Sequence, residues 1–159
     1  MRHLVLAILV LAVASSHAAA ESGPVDKAID GFVRPAYAAF ADASTSLQAD
    51  MQALCTTPSQ PSLDAARSGF RNSVSAWSRV EIVRFGPITE ENRLERVLFW
   101  PDRKSIGLKQ VQRALADEDP SATDPASLAG KSVAMQGLGA LEFVLFGAEA
   151  ETLAETGGD

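Results

Sequence analysis

Apolar residues recur every three or four positions from Ile29 to Leu54, a spacing that dictates helix and excludes strand. Ile29, Phe32, Val33, Ala36, Phe40, Ala43, Leu47, Met51 and Leu54 form one stripe on a helix running from about Pro24 to Cys55. Pro35 lies inside that stretch and lacks the amide hydrogen the helix ladder needs, so a kink or a broken turn is expected there. The segment Thr56 to Pro61 ends the helix with prolines and small polar residues. A second stripe, Leu63, Ala66, Phe70, Val74, Trp77 and Val80, predicts a helix from an N-cap at Ser62 to about Phe85, stopped by Gly86-Pro87.

Beyond Thr89 the pattern shortens. It gives a short helix over Glu90 to Leu98, a turn at Trp100-Pro101-Asp102 and a helix from Gly107 to Ala116. Asp124-Pro125 reads as a cap followed by proline at the first helical position. The helix it opens should reach Phe146, interrupted near Gly130 and stopped by Gly147. No strand-type alternation persists and no internal repeat occurs. The expected fold is all-α: an antiparallel helical bundle with a long irregular connection between its second and last long helices.

The first twenty residues have a separate purpose. Arg2 supplies a positive start, Leu4 to Ala14 an uncharged apolar run, and Ala18-Ala19-Ala20 the small residues of a cleavage site. About 11 apolar residues fall short of the ~20 that span a bilayer, so residues 1–20 are expected to be a signal removed after Ala20, leaving no integral span. Both histidines, His3 and His17, leave with it, and the exported chain then contains no imidazole. Serine or cysteine nucleophiles activated by histidine are thereby excluded, and so are zinc sites of the usual type, since Cys55 is the only thiol.

Removing residues 1–20 takes away Arg2 and no acid, so 13 Lys+Arg stand against 20 Asp+Glu and the net charge moves from -6 to -7. That balance repels phosphate backbones and argues against nucleic-acid partners. Asp117-Glu118-Asp119 lacks the alternating ligand spacing of an EF-hand and reads as a solvated loop. Cys55, alone in an oxidising compartment, is a buried inert thiol, half of an intermolecular bridge, or a residue whose partner lies outside this chain.

Two carboxylates are placed where apolar residues surround them in sequence. Glu81 follows Trp77 by one helical turn, and Glu142 stands among Leu138, Leu141, Leu145 and Phe146. A buried carboxylate needs a donor, a counter-ion, a metal or a raised pKa. One reading is an internal Glu–Arg pair drawn from Arg79, Arg84, Arg93 and Arg96, and the other is a polar pocket lined by Glu81, Glu142 and one or two of those arginines. Trp77 and Trp100 are candidates for an aromatic wall of such a pocket, or for core packing. Gly137 and Gly139 each weaken a helix, which implies close backbone packing or a helix opened around a site.

The block Trp77 to Asp102 (WSRVEIVRFGPITEENRLERVLFWPD) together with Ser132 to Gly147 (SVAMQGLGALEFVLFG) resembles the imelysin-like family, exported bacterial helical proteins first described as metallopeptidases and including iron-regulated envelope proteins. The resemblance implies two bundle-like halves with a site near their junction, of which this chain looks like the N-terminal one. It would divide the chain into a signal at 1–20, a bundle at 21–147 and a polar tail at 148–159. The family signature G-x-H-x-x-E falls on Gly137-Leu138-Gly139-Ala140-Leu141-Glu142, with glycine in place of histidine. Glu142 and Glu81 carry over by position as the only metal-ligand candidates, and the cofactor stays unassigned.

The resulting expectation is an exported, non-catalytic protein of the periplasm or cell envelope that binds a ligand, a metal-containing ligand or an envelope protein partner, linked to iron uptake through the resemblance alone. The alternatives are an imelysin-type metallopeptidase whose remaining ligands lie in a further C-terminal half, and a purely structural bundle.

Overall fold

The computed structural model describes residues 23–157, so the signal, both histidines and the last two residues lie outside it. Among the described residues every regular element is helical: α1 (Pro24–Ala28), α2 (Arg34–Thr56), α3 (Gln60–Val80), α4 (Arg93–Val97), α5 (Ile106–Ala116), α6 (Pro125–Ala129), α7 (Gly137–Phe146) and α8 (Leu153–Thr156). The all-α bundle expected from the apolar spacing is the fold that forms.

The kink expected at Pro35 takes a specific form. A π-helical turn, Ile29–Val33, joins α1 to α2 and places Pro35 in the first turn of α2. Widening the helix there accommodates a residue that cannot donate to the ladder. The second helix starts earlier than expected, because Pro61 is tolerated within a first turn. The cap is Ser59, whose hydroxyl accepts from the Ser62 amide at 3.3 Å, and Ser62 is already helical. It also ends earlier, at Val80, ahead of a 3-10 stretch over Gly86–Asn92.

α2 and α3 form an antiparallel hairpin whose facing stripes bury Leu47, Leu54, Leu63, Ala66, Phe70, Trp77 and Val80. Phe40 lies with its ring centre 5.1 Å from that of Trp77. Burying such side chains contributes about 1.5–3 kcal/mol each, which makes the hairpin the stable base of the molecule. α7 adds Leu138 and Leu145 to the same core. Tyr37 extends it at the far end, where its hydroxyl donates to the Val83 carbonyl at 3.4 Å and burial raises its pKa.

The last helix is not continuous from Pro125. α6 ends at Ala129, a 3-10 turn covers Val133–Met135, and α7 begins at Gly137. The Asp124 cap forms as expected, accepting from Ser127 at 2.8 Å. Gly147 follows the last residue of α7, also as expected. Beyond it the chain folds back: Ala150 is buried, Leu153 and Ala154 pack on the core, and Gly157 reaches the Cys55 backbone. Among the described residues no single helix is long and apolar enough to cross a membrane.

Candidate functional site

α7 is set in place by its first residues. Gln136 donates to the Lys131 carbonyl at 2.9 Å and accepts from Arg96 at 3.1 Å, and Arg96 also donates to the Ala129 carbonyl at 2.8 Å. Gly137 has φ +68°, and a Cβ there would collide with the Arg96 and Val97 carbonyls. This glycine therefore permits both a left-handed start and close backbone packing against α4. Gly139, two residues on, is exposed, and a Cβ there would meet nothing within 4 Å. The close-packing explanation holds for Gly137 and fails for Gly139.

The helix turns about 100° per residue, which fixes what each side chain faces. Leu138, Leu141 and Leu145 point to the core, and Gly139, Glu142 and Phe146 fall together on an outer flank. Glu142 is exposed, not buried as its apolar neighbours in sequence suggested. Glu81 is half-buried at the C-cap of α3. Neither carboxylate makes an ion pair or side-chain hydrogen bond with another described residue.

Three of the four arginines expected to serve them, Arg84, Arg93 and Arg96, are engaged elsewhere. Arg84 donates to the Glu81 backbone carbonyl at 3.4 Å, not to its carboxylate. Arg93 holds Glu90 at 3.3 Å, Glu91 at 3.1 Å and the Pro87 carbonyl at 2.8 Å. The two tryptophans do not form one wall: Trp77 is 2% exposed in the core and Trp100 is 78% exposed on a turn. The stripe at helical spacing places Trp77 in the core, and the turn read at Trp100-Pro101-Asp102 agrees with the exposure of Trp100.

Arg67 and Arg71, one turn apart on α3, were not anticipated. Their guanidinium carbons lie 5.5 Å and 5.1 Å from the centre of the Phe146 ring, a cation–π clamp on the outer flank of α7. Arg67 also donates to the Leu145 carbonyl at 2.8 Å and pairs with Glu151 at 2.9 Å, tying α7 and the returning tail to the hairpin. The i, i+4 spacing beside Phe70 was the available signal.

One concavity is a groove of 530 Å³ between α5, α7 and the returning tail, walled by Leu115, Phe143, Val144 and Leu153, with Gln112 and Glu149 among its polar groups. Its lining includes no imidazole and no thiol, and Glu149 is its only charged side chain. The second, of 410 Å³, lies between the π turn and α3, where Phe32 and Arg79 contribute.

A family model described as imelysin matches residues 33–157. No curated protein and no solved structure matches the chain. The metal implied by a peptidase of that kind does not fit the residues present. Glu81 and Glu142 lie on different elements, the C-cap of α3 and the middle of α7, and no group of three His, Cys, Asp or Glu side chains converges among the described residues.

Proposed function

The chain belongs to the imelysin family, and from that premise we propose that it is an exported cell-envelope protein that binds a ligand or a protein partner without hydrolysing it. Family members are generally secreted or envelope proteins, which agrees with residues 1–20 acting as a cleaved signal. A setting in iron acquisition follows from the family alone. The observation that carries the reading is the 530 Å³ groove, whose lining offers apolar walls and one carboxylate, Glu149. A ligand with an apolar body suits that lining, and general acid–base hydrolysis, which needs matched partners, does not.

A second reading has one observation in its favour. Glu142 and the clear space over Gly139 lie on an accessible flank, where residues from outside 23–157 could complete a peptidase site. Titration calorimetry of the processed chain with Fe³⁺, Zn²⁺ and Ca²⁺, repeated on Glu142→Gln, separates the two, with a peptide-hydrolysis assay run alongside. Peptides are expected to stay intact, and any heat of ion binding is expected to be unchanged in Glu142→Gln. Chelator-sensitive hydrolysis lost in Glu142→Gln would establish the peptidase reading instead.

A further inference from the structure

The charge of the chain is unevenly distributed. Residues 79–109 hold seven of its 14 Lys+Arg and five of its 20 Asp+Glu, a local balance of +2 within a chain of net charge -6. These residues also lie together. Val80 and Val83 end the hairpin inside the core, and Leu94, Val97 and Leu98 pack against that core. Gly137 abuts the Arg96 and Val97 carbonyls, and Gly107 abuts the Ala134 carbonyl. The C-terminus of α3, all of α4 and the first residues of α5 and α7 thus form one end of the bundle.

This end projects large apolar side chains into solvent. Ile82 is 73% exposed, Phe85 61% and Trp100 78%, higher than any other large apolar residue described except Val25. Cations accompany them in sequence: Arg84 between Ile82 and Phe85, and Arg103 and Lys104 just after Trp100. Most of the local acids are occupied. Glu90 and Glu91 pair with Arg93, and the Asp102 carboxylate accepts from the Ile106, Gly107 and Leu108 amides. Arg103 and Lys104 are exposed with no side-chain partner among the described residues, and Glu81, Glu95 and Asp102 are the acids of this stretch without an ion pair there.

We infer that this end docks on a lipid bilayer carrying anionic headgroups, with Trp100, Phe85 and Ile82 entering the interface and Arg84, Arg103 and Lys104 meeting the headgroups. Tryptophan and phenylalanine favour the interfacial zone, and cations beside them are drawn to its negative potential. The shape selects a fluid partner. None of the three apolar residues lines the two concavities described; they stand out from the connecting segments between helices, which a deformable surface accepts and a rigid partner must match atom for atom. The strong acidity of the rest of the chain orients the molecule, because it is repelled by the surface this end approaches.

The test uses the full chain with vesicles of phosphatidylcholine alone or with about 30 mol% phosphatidylglycerol. Co-sedimentation is expected only with the anionic vesicles and should fall as salt rises. Subtracting the fluorescence of Trp100→Phe from that of the parent isolates Trp100, which should shift to the blue and be quenched by brominated lipid. The surface variant Arg84→Glu/Arg103→Glu/Lys104→Glu is expected to weaken partitioning at least about tenfold with an unchanged circular dichroism spectrum. Residues 1–22 are common to every form, so equal binding by parent and triple variant would assign the attachment to that segment and overturn the proposal. Absence of binding to anionic vesicles, or binding without quenching of Trp100, would overturn it as well.

Discussion

The α2–α3 hairpin and the region from Glu81 to Gly157 are held by different physics. The hairpin is a seam of apolar side chains between two long helices, and its stability comes from area. The second region consists of short helices joined by turns; Val83, Leu138 and Leu145 root it in the same apolar core, but its segments are placed by single hydrogen bonds to backbone groups and by glycines at close approaches. Arg96 on the Ala129 carbonyl, Arg67 on the Leu145 carbonyl, Asp102 on three amides of α5 and Gly137 under α4 are its fastenings. Area is lost in proportion to atoms removed, but a fastening is lost all at once.

The largest effect should come from the hairpin. Leu63 is 0% exposed, and Leu63→Ala removes buried atoms and leaves a cavity, at a cost of about 3 kcal/mol. Leu63→Met, which nearly conserves volume, should cost less than about 1.5 kcal/mol. Urea unfolding midpoints at constant slope measure both. Equal losses for the two would mean that the seam depends on shape as strictly as the second region does, and the distinction would break.

Gly137→Ala probes a fastening by adding a single methyl group. It forces a left-handed conformation on a residue with a Cβ and drives that carbon into two carbonyls, so a cost of about 2 kcal/mol or more is expected. Asp102→Ala should follow at about 1–2 kcal/mol, because three amides at the start of α5 lose their acceptor. Hydrogen exchange should rise in α5 and leave α2 and α3 unchanged. Exchange that rises uniformly would show one cooperative unit in place of two differently held regions.

The same contrast explains what the sequence revealed. Both long helices and the all-α class were legible, because a stripe sustained over twenty residues has one geometric solution. The fastenings were not. Asp102 reads as an ordinary turn residue, and only the structure brings its carboxylate to the α5 amides. The sequence sets Glu142 among apolar residues, but neighbours in sequence are not neighbours in space; ten residues of helix flanked on only part of its circumference leave a side open, and Glu142 lies there. The pairing of Trp77 with Trp100 fails for the same reason, since aromatic content gives no direction.

Gly139→Ala turns the comparison within α7 into an opposite sign. Gly139 is exposed with space around it, so adding a methyl group removes backbone freedom from the unfolded chain and improves helix propensity. A gain of about 0.5–1 kcal/mol is expected, two residues from a position where the same change is costly. Gly139→His should be close to neutral in stability by the same reasoning. A loss from Gly139→Ala would mean that something not among residues 23–157 covers this flank.

The smallest effect belongs to the Asp119–Lys131 pair, which joins the α5–α6 connection to the segment before α7 at 2.8 Å. The Lys131 hydrogen bond, followed by those from the Ser121 hydroxyl and amide, pulls the Asp119 pKa from 3.8 to about 2. A pKa lower in the folded than in the unfolded state means the folded form holds its proton less tightly. The contribution is therefore complete above the ordinary carboxylate value and fades as pH falls through about 4 toward 2. Asp119→Asn should unfold at a slightly lower urea concentration than the parent at pH 7, with the difference vanishing near pH 2. Because both partners are partly solvated, added salt should shrink the difference at pH 7, a response that neither Leu63→Ala nor Gly137→Ala should share. A pair indifferent to both pH and salt would be positioned by its surroundings without fastening them, and the polar account of the second region would then rest on Arg67, Arg96 and Asp102 alone.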